Sequence, residues 1–299
     1  CLVSSHADGN GMNSLHGFTL DGGWDLTNGA GGANWAITRA EMTQIGVQLS
    51  CPSAGLTQAR ESSPLFPDHR SRISNFRITK VAGRGLVMSG RGENIINALE
   101  VDNIAVDGLY CDAPDNFFSN VSIWNCGNRG LVFLKGDQRA STTKLWFIGR
   151  DTVAVPDGGA MHIADAGVNG IQAEITTQET WGTSATIQGN VHQIKIHAKE
   201  VGHLLANYGY GVSPRVGTLY GVTLKSTRDS YVDFSMTQRD PELGAPPLVR
   251  FDGSGNIRNR MRVAGQTIVG GVSYPNEGYD TVNPVSEDSG SVNAKRFNI

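Results

Sequence analysis

NFRITKVAGRGLVMSG (residues 75–90) and NVSIWNCGNRGLVFLKG (residues 120–136) are two copies of one pattern: Asn, an alternating apolar stretch, then Gly-Leu-Val ten residues on. Between them NALEVDNIAVDGLY (residues 97–110) supplies a third copy, with Gly-Leu eleven residues after its Asn. The copies start at 75, 97 and 120, a period of 22 to 23 residues. Each holds two short strands with apolar alternation (Phe76, Ile78; Val121, Ile123; Leu131, Phe133) separated by Gly/Asn turns, and no helical spacing. One such unit cannot bury its apolar side alone. A fixed period of this size, with strands and turns only, predicts an all-β solenoid whose units pair in parallel around a continuous core.

Outward from the repeat the pattern persists with a drifting register. Before it, 14–23 (SLHGFTLDGG), 33–38 (ANWAIT) and 45–50 (IGVQLS) read as short strands, while the prolines at 52, 64 and 67 mark a loop over 51–70. After it, 142–151, 159–181, 185–205 and 220–236 keep alternating strands at spacings of about 24 residues, and 256–265 reads as the last full strand. Nine or ten units advancing about 4.8 Å each predict a rod on the order of 45 Å long. Residues 1–274 are expected to form this one domain, clearest over 70–265, and the polar stretch 275–299 a tail, cap or interchain contact. A chain that starts at Cys1 without Met is expected to continue a longer one.

Composition narrows the function classes. Gly is abundant (38 residues) and charged residues make up 18%, which suits a turn-rich β protein. Lys plus Arg number 25 against 28 Asp plus Glu, so there is no basic excess for gripping nucleic acid. No apolar run approaches the roughly 18 residues that a membrane span needs, so no membrane insertion is expected. The cysteines at 1, 51, 111 and 126 form no CxxC pair, so no metal site or cofactor is expected; Cys111 and Cys126, at strand ends, read as buried thiols.

The Asn–strand–Gly-Leu unit and the phrases GENIIN (92–97), DGLYCDAPDNFFSNVSI (107–123) and NRGLVF (128–133) resemble the right-handed parallel β-helix of pectate-lyase-like proteins. Among these they are most similar to bacteriophage tailspikes and related polysaccharide depolymerases. The Gly-Asp-Gly-x-x-Asp-Asp entry segment common in such domains is missing, in line with a chain that begins earlier than Cys1. The resemblance implies a homotrimer on a virion tail, or alternatively a secreted enzyme, that binds a bacterial surface polysaccharide and in many cases cleaves it. It does not fix the chemistry.

Hydrolysis of a glycan needs two carboxyl groups, one protonated for the leaving oxygen and one ionised to activate water or attack. Asp112 and Asp115 leave one turn bent by Pro114, roughly 6.5 to 9.5 Å apart as in an inverting pair. Asp, Pro and Asn are also simply what turns are made of. Glu179 stands beside Trp181, whose ring suits a sugar's apolar face. Arg129 and Arg150 offer planar recognition of carboxylates, in a chain with 18 Arg and 7 Lys, and Tyr208 and Tyr210 in NYGYG (207–211) offer further sugar contacts. Glu174 is expected on the opposite face from Glu179, and Asp229 and Asp233, flanking Tyr231, on one face. A polysaccharide lyase instead needs a base and a cation, which Arg129, Arg150, His162 and His192 supply if they cluster; His192 and His197 should point to opposite faces. A non-catalytic adhesin or structural fibre would use the same groove for binding only. The arginines at 258, 260 and 262 alternate on one face, either a wet surface or an interchain contact.

Overall fold

The computed structural model describes residues 2–4, 14–23, 45–50, 72–89, 92–149, 159–165, 167–180, 183–201, 222–239, 249–252, 259–269 and 272–282. Every regular element among them is a strand. In chain order these are β1 (Leu2–Ser4), β2 (Ser14–His16), β3 (Thr19–Asp21), β4 (Ile45–Ser50), β5 (Arg72–Val81), β6 (Arg84–Ser89) and β7 (Ile95–Ile104). There follow β8 (Leu109–Asp112), β9 (Phe117–Cys126), β10 (Leu131–Phe133), β11 (Arg139–Ile148), β12 (Gly159–Ile163), β13 (Gln172–Thr180) and β14 (Thr183–Asn190). The remainder are β15 (Gln193–Val201), β16 (Val222–Arg228), β17 (Tyr231–Arg239), β18 (Val249–Asp252), β19 (Arg260–Val269) and β20 (Val272–Val282). The stretch expected to form a strand at 33–38 lies outside the described residues.

Two sheets take the strands alternately. The even-numbered strands from β4 to β18, with β1, form a nine-stranded sheet, and the odd-numbered strands from β5 to β19, with β2, β3 and β20, an eleven-stranded one. From β4 to β19 each strand pairs in parallel with the strand two places on, as the repeat requires. Among the described strands only β20 runs antiparallel, on β19, so the expected boundary at 274/275 falls inside a strand.

The long strands are not simply alternating. In β5 the residues facing the core are Ile73, Phe76, Ile78 and Val81, at intervals of three, two and three. Each interval of three contains a residue with positive φ, Asn75 (49°) and Lys80 (56°). Strand side chains change face at every residue, so one extra left-handed residue bends the strand and restores the phase beyond the bend. The same corners recur at Ala98 and Asn103, Asn120 and Asn125, and Thr142 and Phe147. Asn enters this region readily; Lys80, Ala98, Thr142 and Phe147 each cost about 1 kcal/mol there, offset by the core side chains that the corner keeps inward.

The core is built in columns. Leu86, Leu109, Leu131, Met161, Ala185 and Val222 lie in register from β6 to β16, and Met88, Cys111, Phe133 and Ile163 form the next column. The repeated Gly before Leu has a packing reason. A Cβ on Gly108 would lie 2.3 Å from Ile123 Cγ2 and 2.9 Å from the Gly130 carbonyl oxygen. Ahead of β7, β9, β11, β15, β17 and β19 a buried polar row replaces the sheet, interrupted before β13 by Ile171. Asn94 donates to Asn116 Oδ1 at 2.6 Å, and Asn116 donates to Gln138 Oε1 at 3.0 Å and to the Ala113 carbonyl at 2.7 Å. Further on, His192 Nδ1 accepts from the Ile171 amide, Ser230 Oγ from the His192 amide and Asn259 Oδ1 from the Ser230 amide. Buried turn backbone must be hydrogen-bonded, and this row does it where strand pairing stops.

Replacing Gly108 by Ala should lower the unfolding free energy by about 1–3 kcal/mol through overpacking. Urea denaturation reads the change; an unaltered midpoint would show that the short strands sit less closely than described.

Candidate functional site

The turn 113–116 joins β8 to β9 with Asp115 at φ 55°. Its packing on the turn before is close enough that a Cβ on Gly92 would fall 1.6 Å from the Pro114 carbonyl oxygen. The Glu93 amide donates to the Asp115 carbonyl at 2.8 Å and the Asp115 amide to the Gly136 carbonyl at 3.2 Å. Glu93, Asp115 and Asp137 therefore occupy one row, all with positive φ, over the buried row Asn94, Asn116 and Gln138. Partial burial, then the charges of Asp137 and Glu93, hold the Asp115 carboxyl above the usual carboxylate value. Asp112 ends β8, half-buried, with Lys135 Nζ 3.6 Å from its Oδ1. The turn thus carries one carboxyl pushed towards protonation and one in an ion pair.

Two residues beyond the acidic row the outer face of the eleven-stranded sheet begins. Phe117 is 44% exposed there, and the Arg139 guanidinium lies over its ring, 5.3 Å from the centroid. These two flank a groove of about 540 Å³ that continues over Ser119, Ser141, Gln172 and Gln193. Glu174, also on the groove, is paired with Lys195 at 3.0 Å. On the next straight stretch Trp124 and Trp146 meet edge to face, 6.4 Å between centroids.

The remaining expected residues scatter. Glu179 lies in β13 between Gln178, opposite Trp146, and Thr180, opposite Ile148, which is the far end of the strand from the Asp112–Asp115 turn. Arg150, Trp181, Tyr208 and Tyr210 lie outside the described residues, as does Arg258. Arg129 precedes β10 near His162, on the nine-stranded sheet and away from the groove. Burial, then the charges of Arg129 and Lys225, push His162 down to about 3. Such an imidazole is neutral and a feeble base, unfavourable for the lyase arrangement. His192 is structural: Nε2–H donates to the Gln188 carbonyl at 2.8 Å while Nδ1 accepts from Ile171. His197 is exposed and bonds Ser235 Oγ at 2.8 Å, so the two histidines do face opposite ways. Asp229 sits at a corner with φ 51° and Asp233 opposite Lys195 in the sheet, so the turn breaks the alternation expected to align them.

Sequence reasoning missed Glu93 and Asp137. Both were findable, because an acid followed by an amide recurs 22 residues apart in Glu93-Asn94, Asp115-Asn116 and Asp137-Gln138. Among the described residues no group of three or more His, Cys, Asp or Glu is arranged to hold a metal ion, and no helix is long and apolar enough to cross a membrane. No family model, curated protein or solved structure matches the chain.

Burial also lowers His192, against the Gln188 hydrogen bond that favours its charged form, so the two histidines fix a pH dependence. Unfolded, each takes up a proton near pH 6.5; folded, each resists it, so stability falls as pH drops below about 6.5, by up to about 1.4 kcal/mol per unit per histidine. For His162 that window runs down to about 3. Urea midpoints of His162→Gln should therefore decline less steeply than those of the parent between neutrality and mild acid, and parallel declines would contradict the burial of that ring.

Proposed function

We propose that the chain winds as a right-handed parallel β-helix and binds a bacterial surface polysaccharide along its eleven-stranded sheet, cleaving it endolytically by hydrolysis. The observation that carries this reading is the groove at Phe117 with a raised carboxyl, Asp115, two residues away. In-register side chains one strand separation apart, about 4.8 Å, give an extended polymer repeated hydrogen-bonding positions, and an exposed ring suits a sugar's apolar face. Asp115, kept protonated further up the pH scale by its neighbours, is the general acid to the leaving glycosidic oxygen. Asp112, ion-paired with Lys135, is the base that activates water. Glu93 and Asp137 act through Asp115 rather than on the sugar. Glu179 has no part in this pair.

The likeness of the repeat to tailspike-like depolymerases adds the rest of the proposal: a homotrimer carried on a virion tail or secreted, meeting an O-antigen, capsule or exopolysaccharide. A sequence with no nucleic-acid-binding charge excess is consistent with such a partner.

The test is to incubate the protein with purified capsules and O-antigens and follow reducing ends together with the ultraviolet absorbance of unsaturated uronates. Reducing ends without absorbance are expected. Both signals together mean a lyase, and binding without either means an adhesin. Asp115→Asn should lower kcat by about a hundredfold or more and remove the alkaline limb of the pH–rate profile, since the acid must be protonated to act. Asp112→Asn should lower kcat comparably. Full activity in both variants removes the pair from the mechanism.

A further inference from the structure

Among the described residues lining the groove, Arg139 alone is positively charged. Among the described residues no carboxylate pairs with it, whereas the groove's carboxylate, Glu174, is already neutralised by Lys195 at 3.0 Å. Its guanidinium is instead held over the Phe117 ring. Attraction to a ring face steadies a guanidinium without using its N–H donors, so they remain for a ligand. The rest of the groove, Ser119, Ser141, Gln172 and Gln193, is uncharged and can bond hydroxyl groups of any sugar.

The setting of this cation is informative. Asp137 stands two residues before Arg139 and Asp115 two before Phe117, so the edge of the groove carries the acidic row. A neutral glycan would take only single hydroxyl hydrogen bonds from the guanidinium. An anionic one is repelled by that row unless a cation stands on the groove side, and a planar fork of donors is the geometry that takes a carboxylate with two hydrogen bonds.

We infer that Arg139, steadied on Phe117, forms a subsite for a sugar carboxylate, so that the polysaccharide is an acidic one carrying uronic- or ulosonic-type residues. This rests on the groove being the glycan site. Arg139 is a binding and specificity residue and takes no part in proton transfer. The carboxylate it holds lies beside the acidic row, and its own charge further favours the protonated form of Asp115 once substrate is bound.

Two probes that differ only in the carboxylate test this: methyl β-D-glucuronide and methyl β-D-glucoside, followed by saturation-transfer NMR on the intact protein, with Phe117→Ala, Arg139→Gln and Arg139→Lys as variants. The glucuronide should bind about fivefold more tightly than the glucoside at low salt, the size of one exposed charge contact. Arg139→Gln should abolish that difference while leaving the glucoside signal, Arg139→Lys should keep part of it, and Phe117→Ala should weaken both probes. Equal binding of the two probes by the parent protein overturns the acidic-sugar assignment and leaves the groove as a glycan site. No signal from either probe at tens of millimolar overturns the groove and this inference with it.

Discussion

Parallel pairing of each strand with the strand two places on is the constraint from which the other features follow. It places residues about 22 apart in sequence at about 4.8 Å in space, so every side-chain choice is repeated down a row. A row facing inward is mainly apolar: Ile78, Val101, Ile123 and Leu145 are all fully buried neighbours, and a buried Thr177 continues the row in β13. A row at a corner must tolerate positive φ, hence Asn75, Asn120 and Asn125. A row in a buried turn must satisfy both backbone and itself, which an amide does with one donor end and one acceptor end, as in Asn94, Asn116 and Gln138.

The candidate site is built by that same stacking. Glu93, Asp115 and Asp137 repel one another because the register forbids them to separate. Their like charges, about one strand spacing apart at the surface, oppose the fold by on the order of 1 kcal/mol per pair. The amide row beneath offsets this, since its bonds are buried and each is left unpaired if the turn shifts. Elsewhere the register places opposite charges together. Asp102 is fully buried beside Arg77, Thr79 and Asn103, and Asp107 takes Arg84 Nε at 3.0 Å and Asn128 Nδ2 at 2.7 Å. In the row Glu93, Asp115 and Asp137 the same register stacks like charges instead.

What could be read from the chain follows from the range of each interaction. The period, the strands of 75–136 and the separation of His192 from His197 are local patterns, and the structure has them. The corners are hidden from a search for strict alternation, because the spacing is three, two, three, as in Ile73, Phe76, Ile78 and Val81. Spacing within one turn or one strand, as for Asp229 and Asp233, does not reveal partners, because parallel pairing makes the relevant neighbour of Asp115 a residue 22 positions away, Asp137. The drift beyond Gly136 has a simple source. The equivalent of Asp137 in the next turn is Gly170, 33 residues on and also at positive φ (70°), so the turn between them is longer and the acid is not repeated.

The alignment of distant residues into rows is measured most directly by a spin–spin distance. Nitroxides at Glu100→Cys and His197→Cys, with Cys1 and Cys51 changed to Ser, mark exposed positions linked through Ser122, Lys144 and Thr176, while Cys111 and Cys126 stay buried and unlabelled. Four strand separations of about 4.8 Å place the labelled backbones on the order of 19 Å apart, so a single narrow distribution near that value is expected once label length is included. A broad distribution, or one centred beyond roughly twice that span, would contradict the parallel register and everything built upon it.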